Sequence, residues 1–162
     1  MTHIAESVEG EVIKGHGVAS GTIYDPRYPN GSLYLQIPFF EREGIDFRGY
    51  FRGTINVDIS PYNYAIVSPL YFVKQVNWSE YIPSENFYFF EAKVVYNSVE
   101  YEGVIYLPDP ETKPDHFQPN HMLELIMPKM EGLTYGDKVL IKPNPDQLIL
   151  EAMPRNQVRP FQ

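Results

Sequence analysis

The chain has 162 residues, 43% of them hydrophobic and 15% aromatic, which bounds it to one globular domain and excludes a disordered or fibrous chain. A formal charge of −8, from 21 acidic and 13 basic residues, argues against non-specific binding to nucleic acid or to an anionic membrane surface. With no cysteine, disulfides, thiolate metal sites and cysteine nucleophiles are ruled out. The first twelve residues, MTHIAESVEGEV, lack the charged start and apolar core of a signal peptide. The longest nearly apolar run, 64–72, is broken by Ser68 and Pro69 and falls far below the ~20 residues a membrane span needs. A cytoplasmic protein is expected. Thirteen Tyr and ten Phe favour strands, and fifteen Pro and eleven Gly interrupt the chain too often for long helices.

In chain order, residues 1–8 read as a flexible tail, 9–152 as a single β domain and 153–162 as a second tail. A first strand is expected at 11–14, running into Gly15-His16-Gly17-Val18-Ala19-Ser20-Gly21. Three glycines in seven residues suit a loop whose backbone N–H groups face a ligand. The spacing matches neither the dinucleotide fingerprint nor the P-loop, so by itself it is weak evidence for a phosphate cradle. Asn30-Gly31 is a turn signal, and 32–38 alternates Leu33, Leu35 and Ile37 against Ser32, Tyr34 and Gln36, which predicts a half-buried strand. Residues 39–52 read as a connection with room for one helical turn.

The segment 53–59 reads as a strand with Ile55 and Val57 on one face, Thr54 and Asn56 on the other. A hydroxyl and a carboxamide so placed suit a hard cation such as Mg²⁺. From these residues alone, decoration of a solvent face is the commoner outcome. Strands are expected at 70–76 and 87–96, the latter with Tyr88, Phe90, Ala92, Val94 and Tyr96 inward and Glu91 and Lys93 outward. Its hairpin partner at 99–107 places Glu100 and Glu102 to cross near Lys93. Residues 77–86 form an irregular link holding the only Trp, and 108–120, with four prolines, a loop fit for a lid or ligand wall. Short strands at 122–127, 138–142 and 147–151 complete an all-β chain, and a closed barrel is the expected architecture.

Four scattered histidines, His3, His16, His116 and His121, define no triad or metal motif, and each reads first as a surface or packing residue. Glu124 shares a face with Met122 and Ile126. A carboxylate among such neighbours is either at a strand edge in water or hydrogen-bonded in a pocket.

Five blocks in this order resemble the archaeal-type CTP-dependent riboflavin kinases: Gly-Glu-Val-Ile-x-Gly-x-Gly at 10–17, Gly-Thr-Ile-Asn-Val-Asp-Ile at 53–59, Gly-Val-Ile-Tyr-Leu-Pro at 103–108, Leu-Glu-Leu-Ile-x-Pro at 123–128 and Gly-Asp-Lys-Val at 136–139. The resemblance implies a six-stranded cradle-loop barrel and transfer of a phosphoryl group from CTP, or another nucleotide, to riboflavin, giving FMN and CDP. It implies Mg²⁺ on Thr54 and Asn56, and nucleotide phosphates on Gly15, His16, Gly17, Val18, Ala19, Ser20 and Gly21. Lys129 falls in the second nucleotide loop, Glu124 at the flavin contact, and His116 where the family has a flavin-side Thr. The chain departs from the family in its first loop, which has Val18-Ala19-Ser20 in place of a charged sequence. It departs again in the second loop, where Lys129-Met130-Glu131-Gly132 lacks an Arg. The alternative function is a non-catalytic relative binding a flavin, a nucleotide, another small ligand or a partner protein in the same cradle.

Overall fold

The computed structural model describes residues 3–14, 31–112 and 120–152. The Gly-rich segment from Gly15 to Gly21, His116 and the C-terminal tail at 153–162 lie outside the described residues. Ten strands and one helix follow in the order β1 (Ile4–Ala5), β2 (Val8–Ile13), α1 (Ser32–Arg42), β3 (Ile55–Asp58), β4 (Tyr62–Ile66), β5 (Tyr71–Val76), β6 (Glu85–Tyr96), β7 (Val99–Pro108), β8 (Met122–Ile126), β9 (Lys138–Pro143) and β10 (Leu148–Ala152). Strands β6-β7-β8-β3-β2-β9 pair in that order, and β9 returns to β6 to close a six-stranded antiparallel barrel. Strand β5 is an extra strand on β6, and β1-β10-β4 form a small separate sheet.

The barrel encloses a core that follows the alternation of its strands. Phe90, Ala92 and Val94 of β6, Ile105 and Leu107 of β7, Leu123 and Leu125 of β8 and Val57 of β3 are all buried in it. The even positions of β6 therefore point inward, as the sequence predicts. Where strands crowd, glycine keeps the interior clear. A Cβ on Gly103 would run into the Met127 side chain and lie 2.6 Å from the Ile126 carbonyl oxygen.

A second core lies outside the barrel. The outward faces of β6, β7 and β8 present Phe87, Phe89, Val104, Tyr106 and Ile126, which α1 covers with Leu33, Ile37 and Phe40. Phe40 meets Phe89 and Phe87 edge-on, with ring centroids 4.8 and 5.1 Å apart.

The strand expected at 32–38 is thus a helix. The buried set Ser32, Leu33, Gln36, Ile37 and Phe40 follows the helical period, while Leu35 and Tyr34 are exposed at 37% and 48%. Alternation over 32–38 fits both periods for a few residues, and Phe40 decides in favour of 3.6. The helix ends in a Schellman motif: Ile45 N–H donates to the Phe40 carbonyl and Gly44 N–H to that of Glu41, with Gly44 at φ +97. Ile45 and Phe40 then meet in the outer core.

Two further segments differ from expectation. Ile4 and Ala5, placed by sequence in a loose tail, pair with Glu151 and Leu150, and β4, unassigned by sequence, pairs with the other edge of β10. In the link before β6, the indole N–H of Trp78 donates to the buried Glu85 carboxylate at 2.8 Å. Among the described residues no helix is long and apolar enough to cross a membrane.

Gly103→Ala is expected to destabilise the fold by about 1–3 kcal/mol, because the methyl group has no space and a backbone oxygen cannot swing away. Urea denaturation measures this as a lowered midpoint at unchanged slope. A wild-type midpoint would show that β7 and β8 do not approach as described.

Candidate functional site

Strand β3 lies between β2 and β8, so both of its edges are hydrogen-bonded and its side chains can only point into the barrel or away from it. Val57 is fully buried inside, with Ile55 packed against the same core, which sends Asn56 and Asp58 outward. On β8 the same alternation buries Leu123 and Leu125 and turns Met122, Glu124 and Ile126 outward. Asn56 stands directly opposite Glu124, and the Thr54 hydroxyl donates to Glu124 Oε1 at 3.3 Å. Three half-buried oxygen-bearing side chains, separated by up to seventy positions, therefore share one patch. Glu124 is half-buried on a strand paired along both edges, and it accepts a hydrogen bond from Thr54.

The patch continues toward the helix. Tyr106 of β7 stands opposite Glu124, and its buried hydroxyl donates to Gln36 Oε1 of α1 at 2.7 Å. Burial, reinforced by the Glu124 charge, pushes the phenols of Tyr106 and Tyr64 above the usual tyrosine range, so both stay neutral. In the opposite direction the patch reaches Asp58. Burial alone would raise its carboxyl, but the Ser60 N–H at 2.9 Å and hydroxyl at 2.7 Å, with His121 alongside, bring it below its ordinary value. His121 Nδ1 is 3.4 Å from Asp58 Oδ1.

The structure thus brings together Thr54, Asn56 and Glu124. It does not bring in Lys129, whose ammonium lies 3.8 Å from Glu131 with both side chains about four-fifths exposed. Asp58 and Tyr106 belong to the patch and were passed over in the sequence. Asp58 continues the parity of Thr54 and Asn56 and was legible, whereas Tyr106 is placed by the β7–β8 register, which no local pattern gives. Among the described residues no group of three or more His, Asp or Glu could hold a metal ion. The hydroxyl, carboxamide and carboxylate oxygens of Thr54, Asn56 and Glu124 are nevertheless the donor type a hard divalent cation takes, with water completing its shell.

The block around Gly136 fixes the end of β2 that leads to residue 15. Gly136 N–H donates to the Val12 carbonyl at 2.7 Å and Val12 N–H to the Asp137 carbonyl at 2.8 Å. The Asp137 carboxylate accepts from the Tyr96 hydroxyl at 2.7 Å and the Thr134 N–H at 2.9 Å.

These features define a closed antiparallel barrel bearing a polar patch on its outer wall. No family model matches the chain, and no curated protein matches it in sequence.

The two bonds on Asp137, the tyrosine bond above all, hold its carboxyl below the ordinary 3.8. The stabilisation they give is present above that value and is lost as the pH falls through the depressed one. NMR titration should find the Asp137 carboxyl below its ordinary value in the wild type and shifted upward in Tyr96→Phe. An unshifted titration in that variant would mean that the Tyr96 bond is not made in solution.

Proposed function

We propose that the protein is a riboflavin kinase-like phosphotransferase that moves the γ-phosphoryl group of CTP, or another nucleoside triphosphate, to the 5′-hydroxyl of riboflavin. The observation that carries the reading is the convergence of Thr54, Asn56 and Glu124 on one outer patch of a closed barrel. The resemblance to the archaeal-type kinases assigns roles to these same three residues. In the reaction the 5′-oxygen bonds to the γ-phosphorus, the bond from that phosphorus to the β-bridging oxygen breaks, CDP leaves and the hydroxyl proton is released. Such a transfer depends on positioning and on neutralising charge more than on an activated side chain. Mg²⁺, when bound, supplies charge neutralisation at the phosphates. Thr54 and Asn56 are the residues that would hold it. The Glu124 carboxylate accepts hydrogen bonds, which suits a flavin bearing N–H and O–H donors.

A second reading, a non-catalytic relative that binds a flavin or nucleotide in the same cradle, is favoured by one observation. Lys129, the cation in the second nucleotide loop, faces Glu131 in solvent and does not turn toward the patch.

Incubation with riboflavin, CTP and Mg²⁺ is expected to yield FMN and CDP, and Thr54→Ala or Asn56→Ala to lower the rate by about 100-fold. Both side chains are only half-buried, so the variants should melt close to the wild type. FMN formation that survives both substitutions would remove the metal role from these residues. Stabilisation by riboflavin without any FMN, across the four nucleoside triphosphates, would replace the kinase with the binding protein.

A further inference from the structure

Past Phe89 the outward residues of β6 change from aromatic to charged, with Glu91 and Lys93 next in line. Helix α1 does not cover them. Over this stretch opens a cavity of about 590 Å³, floored by β6, β7 and β9 and walled by Tyr50 and Leu70. Its volume falls within the ~300–1,000 Å³ of small-molecule sites. It contains none of Thr54, Asn56 or Glu124.

Register sets Lys93 between Glu102 of β7 and Lys142 of β9. The other charges around the cavity have partners. Lys142 Nζ donates to Glu100 at 3.2 Å, Asn144 Nδ2 donates to Glu91 at 2.9 Å, and Arg48 holds Asp46 at 2.8 Å. Lys93 and Glu102 stand directly opposite each other, yet among the described residues neither makes an ion pair or a side-chain hydrogen bond. Directly opposed residues on antiparallel strands have Cα atoms only ~4.5–5.5 Å apart, a spacing at which opposite charges usually join. Here each instead borders open space. Overhead, burial and the negative charges of Glu102 and Asp46 raise the Tyr50 phenol, which stays protonated and able to donate. Ile45, Leu70, Tyr71 and Val104 add apolar surface to a lining that is otherwise largely polar.

We propose that this cavity binds a free α-amino acid with a large apolar side chain. The Lys93 ammonium takes its carboxylate, the Glu102 carboxylate takes its ammonium, and the side chain lies against Tyr50, Leu70 and Tyr71. A ligand with both charges a few ångströms apart meets the two groups at once. A polyanion would meet Glu91 and Glu102, and a simple cation would meet Lys93. Charge-assisted hydrogen bonds at both ends are the strong kind and fix the ligand's orientation.

Calorimetric titration of the intact protein with L-tryptophan, N-acetyl-L-tryptophan and L-tryptophanamide tests this directly. L-tryptophan should bind, and each analogue, lacking one charge, should bind at least about tenfold more weakly. In Lys93→Gln the advantage of L-tryptophan over its amide should vanish, and in Glu102→Gln its advantage over the acetylated form. Both side chains are exposed, so both variants should fold. No heat with L-tryptophan at millimolar concentration, equal binding of the three compounds, or affinities unchanged in both variants would overturn the proposal. None of these readouts depends on flavin or nucleotide.

Discussion

Strand β6 sets the arrangement of everything else, because it must be hydrogen-bonded along both edges and no single neighbour spans one of them. Strand β7 covers one edge from Phe87 opposite Pro108 to Tyr96 opposite Val99. The other edge is shared: β5 takes Glu85 to Phe89, and β9 takes Ala92 to Val95. The handover leaves the backbone of Glu91 without a strand partner on that side. A turn fills the gap, with Gln147 Oε1 accepting from Glu91 N–H at 2.7 Å and Asn144 N–H donating to its carbonyl at 3.3 Å. Both backbone groups of Glu91 are thereby paired, and this small device lets one strand both close the barrel and extend beyond it.

The same handover divides the outer wall chemically. On the β5 side the outward residues Phe87 and Phe89 are apolar and require a lid, which α1 supplies. On the β9 side they are Glu91 and Lys93, which are exposed to solvent and border open space beneath Tyr50. The polar patch around Glu124 lies on the far flank of the helix layer, joined to it through Tyr106 and Gln36. Replacing Tyr106 by a residue without the hydroxyl would leave the Gln36 carboxamide buried and underbonded, a cost of ~1–3 kcal/mol. The helix layer therefore fixes the β7 edge of the patch while standing outside it.

Much of the barrel was legible because its strands have one face in a core and the other in water or under the helix. The alternation of Phe90, Ala92 and Val94, and that of Leu123 and Leu125, leaves one choice of inward face. Residues 32–38 defeat that logic, since a short apolar alternation carries no period of its own until Phe40 is counted. The small sheet was hidden for a different reason: β1 has two residues, and its pairing with β10 bridges nearly the whole chain. For the patch, the shared face of Thr54 and Asn56 could be read from spacing alone. Their meeting with Glu124 is a matter of which strands become neighbours, and in the sequence only the order of the resembling blocks hinted at it. The charge pairing on β6 was half legible. Glu102 does stand across from Lys93, but Glu100 reaches past β6 to Lys142.

Electrostatics constrains what the patch can accept. Asp58 and Glu124 are its charged groups, Thr54 and Asn56 are neutral, and the chain as a whole carries −8. The Asp58 carboxyl is held below its ordinary value, so it is ionised at neutral pH, and Lys129 is already beside Glu131. A polyphosphate approaching such a surface is repelled unless positive charge arrives with it. Backbone N–H groups can orient an anion, but they do not cancel two carboxylates. Under the kinase reading proposed above, Mg²⁺ held by the neutral oxygens of Thr54 and Asn56 would supply that positive charge. If the chain is the kinase proposed above, metal and nucleotide would bind as one unit, and loss of the Thr54 or Asn56 oxygen would weaken nucleotide binding before flavin binding.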